Sequence, residues 1–396
     1  MHGIDVKGIY ADLMRKFRKE GHELFIVAPR ERRLNENTSL YELDGVKVLG
    51  VKTLNLQRTN TIEKGVGQIL VEKQFKRAIK KYLNGISIDL VIYSTPPITL
   101  MGVVKYLRKI NPQAMTYLLL KDIFPQNAVD LGLIGKKGLS GLLYRHFRKQ
   151  EKRIYQLSDH IGCMSPANVQ YILTHNPEIE AERLEIAPNS YECQDYEELT
   201  DAECVRIRTK YTLPLNLPIF IYGGNLGKPQ GVDFLLQCLE ANNGRRDCFF
   251  LVIGNGTEYG KIESWIERTE PKNISLFESL PKADYDQLVK ACDVGLIFLD
   301  YRFSIPNYPS RLLPYLMEKK PIIAATDPVS DLGRIAENNG YGYWCESNSV
   351  IDFTKCIDKM LASDIKQMGD NGYQFFLKNY TVDDTYNTIV KHCILK

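Results

Sequence analysis

"IFIYGGNLGKPQGVDFLL", residues 219–236, runs from an apolar strand-like segment to a helix-like one. The turn between them holds Gly223, Gly224, Asn225, Gly227 and Lys228. A strand feeding a tight turn and then a helix is the repeating unit of a parallel α/β sheet. Glycines in that turn admit positive φ and let a second backbone or a ligand come close. A helix starting at "VDFLL" would aim its first amides at the turn, where free N–H groups and the macrodipole favour an anion. Lys228 adds a point charge suited to a diphosphate. From this stretch alone, an ordinary glycine-rich turn with an exposed lysine reads equally well. The turn is not a Walker A loop, which needs G-K-[ST], nor a G-x-G-x-x-G dinucleotide fingerprint.

The same design recurs outward from this point. "LVIGNGTEYGKIE" repeats strand, glycine turn and helix at Gly254 and Gly256. "FLDYRFSIPNYPSRLLPYLMEKKPIIAATD" places a proline-rich loop, Ser310 and Arg311 just before a helix, where a basic side chain can meet the same diphosphate. Turns that end neighbouring parallel strands line one sheet edge, the edge where open α/β folds bind ligands. Expected strands in the second half are "PIFIYGG", "CFFLVIG", "NISLFES", "CDVGLIFLD" and "PIIAAT". In the first half they are "HELFIVAP", "VKVLGVK", "IDLVIYS", "AMTYLLLKD" and "RLEIAPN". "KGIYADLMRKFRKEG" is expected as a helix, with Ile9, Leu13 and Phe17 four apart and Gly21 ending it. A doubly wound domain normally opens with a strand feeding a glycine-rich turn. Here "MHGIDVKG" already reads as that turn, so the first strand is expected to be missing from the sheet.

At 396 residues the chain accommodates two domains, and 44% hydrophobic with 25% charged residues is ordinary for a globular protein. No apolar run approaches the roughly 18 residues of a membrane-spanning helix. Nine scattered cysteines without a C-x-x-C pair argue for reduced thiols and against structural zinc. The net charge of +3 hides an asymmetry. Residues 1–194 hold 29 Lys+Arg against 20 Asp+Glu, whereas residues 195–396 hold 22 against 28. The basic half suggests an anionic partner, such as a phosphate-bearing lipid surface. Nucleic acid is not expected, because no recognised binding module is present.

Together these segments resemble a retaining glycosyltransferase of the GT-B fold, family 4, of the type that builds bacterial surface polysaccharides. The second half carries "YGGNLGKPQG", "IGNGTEYG", "LPKADYDQLVKACDVGLIFL" and "IPNYPSRLLPYLMEKKPIIA" in the family's order. The first half carries "GHELFIVAP", "DLVIYSTPP", "LLLKDIFPQNAVDLG", "LSDHIGCMSPAN" and "EIAPNS". The resemblance implies two Rossmann-like domains with parallel sheets facing a central cleft: 1–192, joined by 378–396 crossing back, and 193–377. It implies a nucleoside-diphosphate sugar, UDP-linked, on the second domain, with the base near Gly254 and Gly256. Gly224, Asn225, Lys228, Asn307, Ser310 and Arg311 would hold the rest of the donor. The acceptor, a lipid-linked saccharide, would lie over the first domain. No metal and no cofactor are implied; the leaving phosphate itself helps deprotonate the incoming hydroxyl, while the protein positions and stabilises charge. The implied location is cytoplasmic, peripheral on the inner face of the plasma membrane.

The chain departs from the family at stated places. Two positions where glutamates are common read Pro306 and Pro314; Glu318, one turn beyond, could substitute if the helix is regular, but reads more readily as a solvated surface glutamate. The arginine often found in the phosphate turn is Gly224, and a lysine often found later is Gln230. Lys121, beside Asp122, stands where many members have histidine, and the pair is the catalytic candidate: Asp122 would bind an acceptor hydroxyl or orient Lys121. An aspartate there also suits a plain turn cap. "GKKGLSGLLYRHFRKQEKRIYQL" reads as an amphipathic helix with a basic face, fit for an anionic leaflet or simply for water. His22, His146, His160, His175 and His392 show no ligand spacing. Two further functions stay open: a GT-B nucleotide-sugar epimerase, and a non-catalytic nucleotide-sugar-binding partner.

Overall fold

The computed structural model describes residues 4–56, 61–193 and 196–394. The Met1–Gly3 part of the expected amino-terminal turn lies outside them. The chain divides into two compact units, Met1–Glu192 with Thr381–Lys396, and Cys193–Tyr380. No helix among the described residues is long and apolar enough to cross a membrane.

The second unit is built on one six-stranded parallel sheet. Its strands are β8 (Ile219–Gly223), β9 (Phe249–Ile253), β10 (Ile274–Phe277), β11 (Val294–Phe298), β12 (Ile322–Thr326) and β13 (Gly342–Glu346). Their spatial order is β10-β9-β8-β11-β12-β13. Every residue of β8, β9, β11 and β12 is buried, which explains why these strands read as unbroken apolar runs rather than as alternation. Phe220, Phe250, Phe298 and Phe353 form the aromatic centre of the core. From β8 the chain winds through β9 to β10 on one side, then returns to β11 and continues through β12 to β13 on the other. The direction therefore reverses between β8 and β11, the switch point at which such sheets open a crevice beyond their carboxyl ends.

Among the described residues the first unit contains seven strands: β1 (Phe25–Glu31), β2 (Ser39–Leu43), β3 (Val46–Thr53), β4 (Leu90–Thr95), β5 (Met115–Leu120), β6 (His160–Cys163) and β7 (Leu184–Ile186). They form two sheets rather than one, ordered β1-β3-β2 and β4-β5-β6-β7. The expected uniformly parallel sheet is thus interrupted, and β2 runs antiparallel to β3. Side chains rather than backbone join the halves. Leu13 and Phe17 from the helix Ile9–Lys19, with Ile389 and Val390 from the helix Val382–Ile394, pack on Tyr117 and Leu119. Leu24, next to β1, and Leu90 and Ile92 of β4 close the same cluster. The Ile9–Lys19 helix is fixed at both ends: the Gly8 amide donates to Asp12 at 2.8 Å, and Gly21 takes φ 87° while the His22 amide reaches the Phe17 carbonyl. The Ile365–Asn379 helix stays with the second unit, and the chain re-enters the first at Thr381.

Candidate active site

The turns after β8 and β9 are zipped together by backbone. The Gly224 amide donates to the Ile253 carbonyl at 2.9 Å, Leu226 to Asn255 at 2.8 Å, and Glu258 back to Leu226 at 2.9 Å. The approach is so close that a side chain at Gly254 would run into the Gly224 carbonyl, and one at Gly256 into that of Leu226. This is the physical need behind the glycines. Gly224 spends its own amide on the sheet, but the amides of Asn225, Gly227 and Lys228 make no hydrogen bond among the described residues. Lys228 is exposed beside them, and Asn225 Nδ2 donates to Gln230 at 2.9 Å.

The helix after this turn starts at Val232, as expected, but not directly from the turn. A short 3-10 segment, Lys228–Gln230, and a left-handed Gly231 (φ 57°) intervene before the helix Val232–Ala241. Gly231 lies against the Leu299 carbonyl and Asp300, at the end of β11. The helix thus begins one left-handed residue after the 3-10 turn, with Gly231 packed on the end of β11.

Arg311 supplies the positive charge at the turn. Its guanidinium lies 4.7 Å from the Tyr222 ring centroid, a cation–π geometry, and 3.2–3.4 Å from where a Gly224 side chain would begin. Its Nη1 is closed off from solvent and makes no hydrogen bond among the described residues. A buried, unsatisfied guanidinium donor is costly and uncommon. Three tyrosines, none singled out from the sequence, hold this arrangement. The Tyr222 hydroxyl donates to the Asn225 carbonyl at 2.8 Å, pinning the turn. Tyr315 receives the Gly223 amide and donates to the Ile221 carbonyl, both at 3.1 Å. Burial pushes the Tyr285 hydroxyl up to about 12, and its ring fills the space over Gly223 that a side chain would occupy. Aromatics in "DYDQL" and "LLPYL" read as core, so no sequence signal marked them.

The loop between β11 and β12 is tied down through Asp327. This fully buried carboxylate accepts from the amides of Val329 (3.1 Å) and Ser330 (2.8 Å) and from the Ser330 hydroxyl (2.9 Å). The Asn307 amide in turn donates to Ser330 Oγ at 2.9 Å, and the Asn307 side chain is committed to the Ile305 carbonyl. Asn307 is thus a strut of the loop carrying Ser310 and Arg311. The Ser310 carbonyl receives the Leu313 amide, starting the helical turn. Pro306 is buried, and Pro314 sits inside the six-residue helix Leu312–Met317. Glu318 is no substitute for the missing acids. It ends that helix beside Lys319 and Lys320, which lead into the amino-terminal end of β12, the sheet edge opposite Arg311.

In the first unit, Lys121 and Asp122 follow the carboxyl end of β5. Lys121 Nζ donates to the Ala187 carbonyl at 3.3 Å and lines a small cavity with Ile9, Tyr10, Asn189, Ser190 and Thr385. Burial pulls its pKa down to about 7, with Cys163 opposing weakly. The Asp122 carboxyl is raised to about 6 by burial, although it accepts Asn127 Nδ2 at 2.9 Å. The two side chains make no ion pair, so Asp122 does not orient Lys121; it braces the turn leading into the Gln126–Asp130 helix. His160 and His392 stack at 3.5 Å, and His392 bonds Glu185, a structural pairing. No group of three or more His, Cys, Asp or Glu among the described residues is arranged to hold a metal.

Comparison with known proteins bears on this geometry. Residues 205–375 match the family described as glycosyl transferases group 1. The chain is 22% identical over 333 residues to a probable glycosyltransferase, WbjE, of Pseudomonas aeruginosa, covering 82% of this chain and 78% of that protein. It is 24% identical over 229 residues to a putative colanic acid biosynthesis glycosyl transferase, WcaI, of Escherichia coli, covering 57% and 54%. Sucrose-phosphate synthase from Thermosynechococcus elongatus superposes with a TM-score of 0.72 at 14% identity, covering 96% of this chain and 91% of that one. HepE of Anabaena, solved with UDP-glucose, superposes with a TM-score of 0.64 at 13% identity, covering 88% and 86%. The unit built on β8–β13 thus carries a glycosyl transferases group 1 domain, and the chain is a glycosyltransferase with the GT-B fold.

Proposed function

We propose that this chain is a retaining, metal-independent glycosyltransferase of family 4 that takes a sugar from a nucleoside-diphosphate donor, UDP-linked, without any cofactor. The observation that carries this reading is the half-buried Arg311, whose enclosed Nη1 is unsatisfied against the Gly224 turn. A protein keeps such a group when a ligand completes it, and a planar guanidinium beside free amides and Lys228 matches a diphosphate. These groups would bear the charge that develops on the departing diphosphate. Binding of UDP-glucose by HepE supports the choice of nucleotide. With the leaving phosphate taking the acceptor's proton on the same face, configuration is retained. The acceptor, a lipid-linked saccharide, binds on the first unit, where Asp122 accepts from its hydroxyl and Lys121 contacts its polar groups. The name of WcaI, a putative colanic acid biosynthesis glycosyl transferase, supports a role in surface polysaccharide synthesis, such as capsule or O-antigen; in this reading the chain works at the inner face of the plasma membrane.

The test is a thermal-shift titration of the folded chain with UDP, GDP, CMP and a panel of UDP-sugars. A shift that rises with UDP and its sugars, and shrinks in Lys228→Ala, is expected. No shift with any nucleotide would refute the donor assignment. NMR of the transferred product would then read the anomeric configuration, and inversion would refute the retaining mechanism.

A further inference from the structure

The helix Gly138–Leu157 presents an unusual solvent side. It buries Glu151, Ile154 and Tyr155. The exposed surface of its first two turns, however, is not simply polar. Leu139, Leu142 and Leu143 are 87%, 56% and 46% exposed, and Leu133, in the preceding loop, is 63% exposed. With His146, the helical positions fall at i, i+3, i+4 and i+7, the spacing of an apolar stripe, yet this stripe faces water. Single exposed leucines are commonplace; four within eleven residues form a patch, and such patches mark interaction sites.

Charge around the patch has one sign. No Asp or Glu occurs from 131 to 150, where Lys136, Lys137, Arg145, Arg148 and Lys149 lie. Arg148 pairs with Glu151 and Lys152 with Glu178, whereas Lys136, Lys137, Arg145, Lys149 and Arg153 make no ion pair among the described residues. The lysine loop is preassembled on the helix. The Gly135 amide donates to Ser140 Oγ at 2.6 Å, and Gly141 packs so tightly on the Lys136 carbonyl that a side chain there would collide. Leu133 is held by its amide on the Ala128 carbonyl at 2.8 Å. Leucines and lysines are thus offered together, without an ordering cost on docking.

We propose that this leucine–lysine face is the membrane-docking surface of the chain, seated at the headgroup–acyl boundary of an anionic bilayer. The occupant follows from complementarity: leucines suit the acyl region, and exposed cations that make no ion pair among the described residues suit phosphate headgroups. The inference rests on the reading of a membrane-borne acceptor and specifies the surface that would bring the chain to it.

Co-sedimentation with vesicles of phosphatidylcholine alone, and of phosphatidylcholine with phosphatidylglycerol, tests it. Wild-type chain is expected to pellet with the anionic vesicles only. Leu139→Ser/Leu142→Ser/Leu143→Ser should weaken this about tenfold or more, and Lys136→Gln/Lys137→Gln about fivefold per charge removed. All the altered side chains are exposed, so circular dichroism and the UDP thermal shift should match wild type. Failure of wild type to bind anionic vesicles, or unchanged binding by both variants, would overturn the proposal. So would a wild-type dimer in light scattering that the leucine variant dissociates, since the face would then join copies of the chain. Docking without a UDP shift would sink the donor assignment while leaving the surface in place.

Discussion

Replacing Arg311 with methionine should move ligand affinity and stability in opposite directions. Methionine keeps the packing on Tyr222 but removes the charge and every donor. If the guanidinium binds diphosphate, affinity falls by one charge-assisted contact, about 1.5–3 kcal/mol, or roughly 10- to 150-fold in Kd. Without ligand, the variant no longer buries the unsatisfied Nη1, a relief of about 1–3 kcal/mol. It loses the cation–π contact with Tyr222, about 0.5–1 kcal/mol. The net is a gain near 1 kcal/mol, which for a unit of this size raises Tm by about 2–4 °C. Isothermal titration with UDP and differential scanning calorimetry of the apo chain read the two quantities. Wild-type UDP affinity in the variant would refute the ligand role. A Tm lowered by several degrees would show that the guanidinium serves the fold instead.

Lys228→Gln should weaken UDP binding severalfold at low salt and much less at high salt, because an exposed point charge is screened, while apo Tm stays unchanged; a salt-independent loss would contradict this. With Asp122 raised to about 6 and Lys121 lowered to about 7, kcat/KM for acceptor should fall below about pH 6 and above about pH 7. Asp122→Asn should flatten only the acid limb and Lys121→Gln only the alkaline one, as pH–rate profiles would show; limbs that persist in both variants would remove the pair from the acceptor site. Asp327 has its folded pKa raised from 3.8 to about 6 by burial, so its contribution is fully present below the unfolded value and is lost as pH rises through about 6. Relative to Asp327→Asn, wild type should lose on the order of 2–3 kcal/mol between pH 4 and 7, measured by urea unfolding at each pH. A constant difference would show that the carboxyl titrates normally.

Much of the second unit was legible because its central strands are buried on both faces, and unbroken apolar runs ending in glycine announce themselves. The strands β2, β6 and β13 were not expected: they are short or half-exposed, and "SLYEL" or "HIGC" carries little period-two signal. Gly223, Gly224 and Gly227 were read as sites of close approach; the structure sets the Arg311 guanidinium against Gly224, while it is Gly254 and Gly256 that meet another stretch of backbone. The 3-10 turn Lys228–Gln230 and the left-handed Gly231 that precede the Val232–Ala241 helix were not legible, because a single φ reversal leaves no mark in composition. Arg311 was found from its place before a helix, but the tyrosines that hold it needed coordinates. An aromatic at a helical core position looks the same whether it fills space or aims a guanidinium. Asp122 and Lys121 adjoin in sequence yet face different partners, the ordinary consequence of successive residues pointing apart at a strand's end.

The interrupted sheet of the first unit bears on how that unit breathes. A continuous sheet opens as a whole, since each strand is held by neighbours on both sides. Here no strand-to-strand hydrogen bond joins β1–β3–β2 to β4–β7; the Leu13–Phe17–Tyr117 cluster and the Thr61–Tyr82 helix, which packs on β3 and whose Glu72 accepts the Gly102 amide, bridge them through side chains. Amide protons of β1 and β3 should therefore exchange through a sub-global opening cheaper than the one that exposes β5. Each such opening would uncover two strand edges at once, at β1 and β4, and unpaired edges are where chains stick to one another. The weak seam in this enzyme thus runs through the middle of one unit.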